Sequence, residues 1–333
     1  MNEQLFVSGR HLEHIDPYLT IWGHSIAIYL FLGGLAAGIL LFANYFYLKG
    51  KADEFPITVK VSTLIPPIII VFGLILLVMD LHHKLYFWQL LLHFRINSPM
   101  SWGAWTLSVI MIPAIFWPLI YLDDIISYLE HRNHNCRITG LLRWANDLIK
   151  RISFMVFLMD LARKNQKMMA YVTIVLSIIL GVYTGILLSA FNARPLWNSA
   201  ILGPLFLTSG ISTGAAMIML LSNNHRERKM FSKIDLLLIA IELFLIVHMF
   251  MGMKAGSLVQ YETALLFLGG PYTASFWVVF VGLGLVFPAF LEILELNHIE
   301  IPIWIPATLV LAGGLIFRYI MVYAGQFSDF NLF

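Results

Sequence analysis

The sequence predicts an all-α integral membrane protein, with about eight spanning helices in two four-helix bundles and both termini outside. Three observations carry that expectation. Hydrophobic residues make up 59% of the 333 residues and charged residues only 12%, about half the charge of a soluble domain. Eight stretches reach the roughly 20 mostly apolar residues that a crossing needs. Lysine and arginine gather in alternate loops, as the positive-inside rule leads one to expect.

The eight expected spans are roughly 19–48, 59–80, 102–129, 168–190, 201–222, 234–253, 273–296 and 303–326. They make one transmembrane domain, 19–333, after a polar outer tail, 1–18, which lacks the pattern of a cleavable signal. Trp22, Trp102, Trp197, Trp277 and Trp304 fall near expected interfaces, where amphipathic rings prefer to sit.

Orientation follows from the loops. With the N-terminus outside, the inner segments collect Lys49, Lys51 and Lys60, eight basic residues from Arg132 to Lys167, and Arg226, Arg228, Lys229 and Lys233. The outer segments keep only scattered ones, such as Arg10, Lys84, Arg95, Arg194 and Lys254. The loop between the last two spans is an exception, with Glu295 and Glu300 but no basic residue. Within the inner loop, Leu141, Trp144, Leu148, Ile152 and Phe157 recur at helical spacing among basic residues, which reads as an amphipathic helix on the membrane surface. Outside, 80–101 is too aromatic to float free and reads as a short cap dipping into the interface.

A net charge of +2 is far too small for a nucleic-acid footprint. Cys136 is the only cysteine, so the chain forms no internal disulfide, ligates no iron–sulfur cluster through cysteines and anchors no c-type haem. A b-type haem needs two facing axial ligands; His24, His82, His83 and His248 all lie toward the outer side, and no haem is expected. No metal site is expected either. Electrons, if handled, pass through a small molecule or a partner.

An ionisable side chain inside a span costs about 2.5–3.5 kcal/mol on the insertion scale and is a functional candidate by default. Asp80, His82 and His83 cluster at the outer end of the second span. Tyr183 lies in the outer part of the fourth, with Asn192 and Arg194 just beyond. Glu242 and His248 lie on the sixth, with Asp235 near its inner end, and Arg318 is inside the eighth. Asp80, Tyr183 and His248 fall at similar depth, which suggests an outer polar pocket. Singly, each also reads as structural: a cap, an interfacial anchor, a snorkelling arginine. Asp235, Glu242 and His248, seven and six residues apart, are expected within about 60° of one another, at rises of about 9–10 Å that waters would bridge. The runs Gly33–Gly38 and Gly210–Ala216 are small-residue faces, suited to close helix packing or to a flat ligand.

Four segments add a resemblance: YLFLGGLAAGI (29–39), SPMSWGAWTL (98–107), YTGILLSAFNARPLWN (183–198) and GGLIFRYIMVYAGQ (313–326). Together, in order and across nearly the whole chain, they resemble the NrfD-like family of polysulfide reductase membrane subunits. The resemblance implies a haem-free quinone-binding anchor (menaquinone or ubiquinone) of a prokaryotic inner membrane. It also implies a ferredoxin-like iron–sulfur subunit docked outside, often joined to a molybdopterin subunit. The family's quinone site lies near the outer surface within the first four helices. Its ring-contacting tyrosine falls at Tyr183, with an aspartate beside it at Asp80. A first-helix contact, histidine in one member, falls at about Tyr29, and His24 is a second candidate there.

The residues suit that chemistry on their own account. Quinol oxidation releases two electrons and two protons, so a site needs a hydrogen-bond partner for each ring oxygen and a proton acceptor. Tyr183 supplies a donor, and Asp80 or His83 exchanges the proton. Asp235, Glu242, His248 and Arg318 are candidates for a proton path. A proton-coupled transporter or channel is the alternative, but only the third span, with Pro113 and Pro118, is interrupted. A membrane anchor without a ligand is a third reading. The orientation has a direct check: a membrane-impermeant thiol reagent should leave Cys136 unmodified in intact cells and react once the membrane is opened. Labelling in intact cells would invert the topology.

Overall fold

A computed structural model describes residues 22–81, 83–132, 137–191, 194–297, 299 and 301–328. The expected tail, His82, Cys136, Asn192 and Glu300 lie outside the described residues. All regular structure among the described residues is helical, because a spanning backbone in hydrocarbon must satisfy its own polar groups. In chain order the helices are α1 (His24–Leu48), α2 (Ile57–Asp80), α3 (Gln89–Leu92), α4 (Pro99–Ile120), α5 (Leu122–Arg132), α6 (Arg137–Arg151) and α7 (Ser153–Lys164). Then follow α8 (Gln166–Ser189), α9 (Leu202–Leu221), α10 (His225–Ala255), α11 (Leu258–Leu265), α12 (Ala274–Leu296) and α13 (Trp304–Phe327). Eight of these, α1, α2, α4, α8, α9, α10, α12 and α13, are long and apolar enough to span.

Several boundaries differ from expectation. The third span ends at Ile120, where Tyr121 leaves helical geometry (φ −101°, ψ 12°) and α5 begins with Asp123 and Asp124 in its first turn. Pro113 and Pro118 do not interrupt α4, which runs through both. The sixth span starts earlier, at His225, with Asn224 accepting a hydrogen bond from the Arg226 amide as its cap. The long basic loop between the third and fourth spans forms two amphipathic helices, α6 and α7, broken at Ile152. Asp123 fastens α6 to α5 by accepting from Asn146 Nδ2 at 2.7 Å and Lys150 Nζ at 2.8 Å. These partners hold its carboxyl below the usual carboxylate range.

The eight spans form two four-helix bundles, α1/α2/α4/α8 and α9/α10/α12/α13. α1 is 78% buried over its most apolar window and α2 only 28%, so α1 is the central helix and α2 is peripheral. Glycine decides how α1 meets the second bundle. A Cβ on Gly38 would stand 2.5 Å from the Gly210 carbonyl oxygen and 3.0 Å from Gly214 Cα. A Cβ on Gly34 would stand 3.2 Å from Gly210 Cα. The two small-residue faces are therefore a single α1–α9 seam in which backbones touch, as small residues permit. Gly284 and Gly313 repeat the device between α12 and α13.

The Arg-Pro-Leu-Trp-Asn loop is a fastening. Arg194 Nη1 donates to the Ser328 carbonyl at 3.0 Å, and Trp197 Nε1 donates to that of Met321 at 2.8 Å. Beside it, Gln326 bonds both the amide and the carbonyl of Trp22 at 2.8 Å. At the opposite, basic end, buried Glu227 accepts from the Thr58 amide, the Thr58 hydroxyl and the Ser222 hydroxyl at 2.5–2.8 Å. It ties the start of α2 to α10 and is a satisfied structural carboxylate.

Gly38→Ala should destabilise the solubilised protein by about 1–3 kcal/mol, since backbone on the facing helix cannot step aside as a flexible side group does. Gly252→Ala, whose Cβ meets nothing within 4 Å, should leave the thermal midpoint within a degree or two. Equal midpoints for the two variants would remove the seam as the constraint on packing.

Candidate functional site

Two buried tyrosines meet within the first bundle. Tyr29 of α1 is 3% exposed and Tyr183 of α8 is 7% exposed, and their phenol groups face each other. The Tyr29 hydroxyl has no well-aligned hydrogen-bond partner. Glycine makes the room. A Cβ on Gly103 of α4 would overlap the phenol end of Tyr183, and one on Gly73 of α2 would touch the Tyr29 ring at 3.4 Å. This gives Gly103, in the Ser-Pro-Met-Ser-Trp-Gly-Ala-Trp segment, a physical purpose. Tyr183 also lines a cavity of about 520 Å³ between α4 and α8, with Asn97, Trp102, Thr106 and Ile179. On the other side of α4 a cavity of about 420 Å³ is lined by Leu74, Val78, Leu81 and Phe87. Asp80 stands half-buried at the end of α2, between two residues of that lining.

Two expected members stand elsewhere. His24 is exposed and turns to α13, its Nδ1 3.3 Å from the Tyr323 hydroxyl and its ring 5.6 Å from that of Tyr319. Five residues separate it from Tyr29, a rotation of about 140°, so the two face different neighbours. His83 is exposed beyond α2, its ring 6.3 Å from that of Tyr86. Around it Leu85, Tyr86, Phe87, Trp88, Leu92 and Phe94 present an exposed aromatic cap.

The second bundle holds a buried polar interior. Arg318 is fully buried on α13. Its Nη1 donates to Ser209 Oγ at 2.5 Å and to the Gly314 carbonyl at 3.1 Å, and Nη2 donates to the Phe206 carbonyl at 3.2 Å. Because Ser209 Oγ accepts from the guanidinium, its own hydrogen is left for Glu242, the neighbouring carboxyl. Glu242 is 1% exposed, and neither oxygen has a well-aligned donor. Nearer the basic end, Ser212 donates to Asp235 Oδ1 at 2.6 Å. Asp235 also neighbours Glu292 of α12, which is fully buried with no well-aligned donor to either oxygen. Glu295 follows, with Arg228, His225 and Ser232 for neighbours.

His248 does not join this group. It is exposed, with Nδ1 2.8 Å from the Phe244 carbonyl. The expected 60° spread is too narrow: a six-residue step turns a helix by about 120°, which carries His248 away from Glu242. The seven-residue step to Asp235 turns it only about 20°. Glu292, inside the expected seventh span, is the member that sequence reasoning missed. Its signal is plain, a carboxylate within an apolar run.

These features define a polytopic helical membrane protein with a phenolic pocket in one bundle and an ionisable core in the other. Residues 13–328 match the family model for polysulphide reductase, NrfD. The chain belongs to that family. It is 30% identical to protein NrfD of Escherichia coli (strain K12), over 96% of this chain and 98% of that protein. It is 32% identical to the C chain of polysulfide reductase from Wolinella succinogenes, over 94% and 96% respectively. A more distant likeness, 23% over 64% of this chain and 50% of the relative, is to the C subunit of selenate reductase from Mesobacillus selenatarsenatis. The family and these relatives make the chain a membrane subunit of a multi-subunit reductase complex.

Proposed function

We propose that the chain is the quinone-binding anchor of a respiratory oxidoreductase in a prokaryotic inner membrane. In this reading it exchanges electrons between membrane quinone and a peripheral iron–sulfur subunit on the outer face. The observation that carries the proposal is the Tyr29–Tyr183 pair beside a cavity of about 520 Å³, within the range of ordinary small-molecule sites. Tyr183 is the member of the pair that lines the cavity, and a quinone oxygen is an acceptor for its hydroxyl. Asn97 and Thr106 add polar groups to an apolar lining, which fits a flat, mostly apolar ring. The quinone, menaquinone or ubiquinone, supplies two-electron, two-proton chemistry when bound.

The protein's own residues then have defined tasks. Tyr183 donates a hydrogen bond to a ring oxygen, and Tyr29 fixes the Tyr183 phenol. Asp80, half-buried at the outer end of α2 beside the cavity on the other side of α4, passes the proton toward the surface by way of bridging water. The exposed cap from His83 to Phe94 lies at the same end of the bundle, where an iron–sulfur subunit, joined to a molybdopterin or other catalytic subunit, would dock within reach of the pocket.

In the same reading Glu295, Glu292, Asp235, Glu242 and Arg318 relay protons from the basic, inner side. Unsatisfied carboxyl oxygens at Glu292 and Glu242 support it, because a carboxyl kept only for structure is satisfied, as Glu227 is. The rise of about 10 Å from Asp235 to Glu242 requires bridging water.

Tyr183→Phe and Asp80→Asn should each lower quinol-dependent turnover by about three- to tenfold or more, the worth of one hydrogen bond. Gly103→Ala, by displacing the phenol, should act as Tyr183→Phe does. Assembly, and activity with an artificial electron carrier fed to the peripheral subunit, should survive. Normal quinol oxidation by all three variants would move the pocket elsewhere.

Glu242→Gln in sealed vesicles should reduce proton uptake from the inner side per quinol turned over. Unchanged turnover with unchanged proton stoichiometry would leave Glu242 a structural residue.

A further inference from the structure

Most threonines of the spanning helices turn their hydroxyls on their own backbone. Thr173 and Thr184 of α8, Thr208 and Thr213 of α9 and Thr308 of α13 each donate to a carbonyl three or four residues back, at 2.6–2.9 Å. In hydrocarbon that bond is the ready way to satisfy a hydroxyl. Thr106 of α4 is 7% exposed, yet among the described residues its hydroxyl makes no hydrogen bond. A hydroxyl withheld from its own helix and set in a cavity wall is available to a ligand.

The place of Thr106 is a second observation. It lines the cavity of about 520 Å³ together with Tyr183, and also an adjoining apolar cavity of about 390 Å³. Trp102 and Ile179 are likewise common to both, so Thr106 stands where the two meet. Gly103, whose missing Cβ makes room for the phenol end of Tyr183, is three residues earlier on α4. Thr106 is therefore one turn, about 4.5 Å, deeper in the span and about 60° round the helix from the point the phenol touches. The cavity wall offers two hydroxyls at two depths. Asn97, its other polar side chain, is exposed and precedes α4, where water serves it.

We propose that Thr106 holds the second ring oxygen of the quinone while Tyr183 holds the first. This rests on the reading that the cavity is the quinone site. A quinone carries its oxygens on opposite edges of one ring, so a single phenol leaves one of them unmatched. A threonine hydroxyl donates to a quinone carbonyl and accepts from a quinol hydroxyl, which serves both redox states without a change of charge. Thr106 thus binds and orients the ring and leaves proton exchange to other groups.

The test uses duroquinone, a symmetric quinone without a tail, and the solubilised full-length protein. Affinity is read by equilibrium titration, and the carbonyl stretches by infrared difference spectroscopy. Both carbonyls should shift to lower frequency on binding. Thr106→Val should weaken binding about two- to tenfold, the worth of one hydrogen bond. It should also return one carbonyl to its unbonded frequency and leave the thermal midpoint unmoved. Tyr183→Phe should likewise free one carbonyl, and the double variant both. Thr106→Ser, which keeps the hydroxyl, and Thr173→Val, whose hydroxyl serves its own helix, should bind as the unaltered protein does. A carbonyl freed by Tyr183→Phe but not by Thr106→Val would overturn the assignment and leave the cavity as the quinone site. Binding unchanged in both variants would remove the quinone reading of the cavity as well. Equal losses in Thr106→Ser and Thr106→Val would make the effect one of packing and overturn the assignment too.

Discussion

Backbone contact between α1 and α9 is the constraint on which the rest depends. Gly34 and Gly38 lie against Gly210 and Gly214 with no side chain between them, so the first bundle is fixed against the second at the closest approach two helices allow. The same absence of side chains admits Arg318: a Cβ on Gly34 would come within 3.2 Å of its Nη2. The seam therefore positions the guanidinium as well as the helices. With α1 so held, its other face turns Tyr29 toward α2 and α8. One strip of glycine thus serves both polar regions, although no ionisable residue belongs to it.

The two regions differ in kind. The tyrosine pocket lies beside cavities that open between peripheral helices, and its polar groups, hydroxyls and the Asn97 amide, are not ionised at neutral pH. The core around Glu242 and Arg318 is enclosed and built from ionisable groups. Burial alone does not distinguish a working carboxyl from a structural one. Glu227 and Glu292 are both fully buried, yet Glu227 receives three donors and Glu292 has neither oxygen satisfied. Glu292 faces Asp235 without a well-aligned donor to either oxygen, and an incompletely satisfied buried carboxyl costs more than a hydrogen-bonded one, which sets Glu292 apart from Glu227.

The spans were legible because twenty apolar residues between charged loops have few alternatives. The pairing of Tyr29 with Tyr183 was legible only through resemblance, since nothing in spacing shows that α1 and α8 are neighbours. His24 and His248 misled for one reason: depth along a helix is easily read, whereas the face depends on rotation, and a step of five or six residues reverses much of it. The split of the long basic loop into α6 and α7 at Ile152 turns on one extended residue (φ −93°, ψ 101°), which an apolar repeat does not announce. The glycine run and the Arg-Pro-Leu-Trp-Asn loop were visible as motifs. Their purpose, backbone contact and fastening, needed the partner segments to be in view.

The clasp between Trp22 and Gln326 joins positions 304 residues apart, with consequences for biogenesis. A ribosome working at about 5–20 residues per second needs roughly 15–60 s to travel that distance. During that interval α1 is already apolar enough to leave the translocon, while the helices that will cover its glycine face are unmade. The central helix of the finished protein therefore begins its life at the periphery, facing lipid or an insertion factor. It becomes central only when α9, and finally α13, arrive to enclose it.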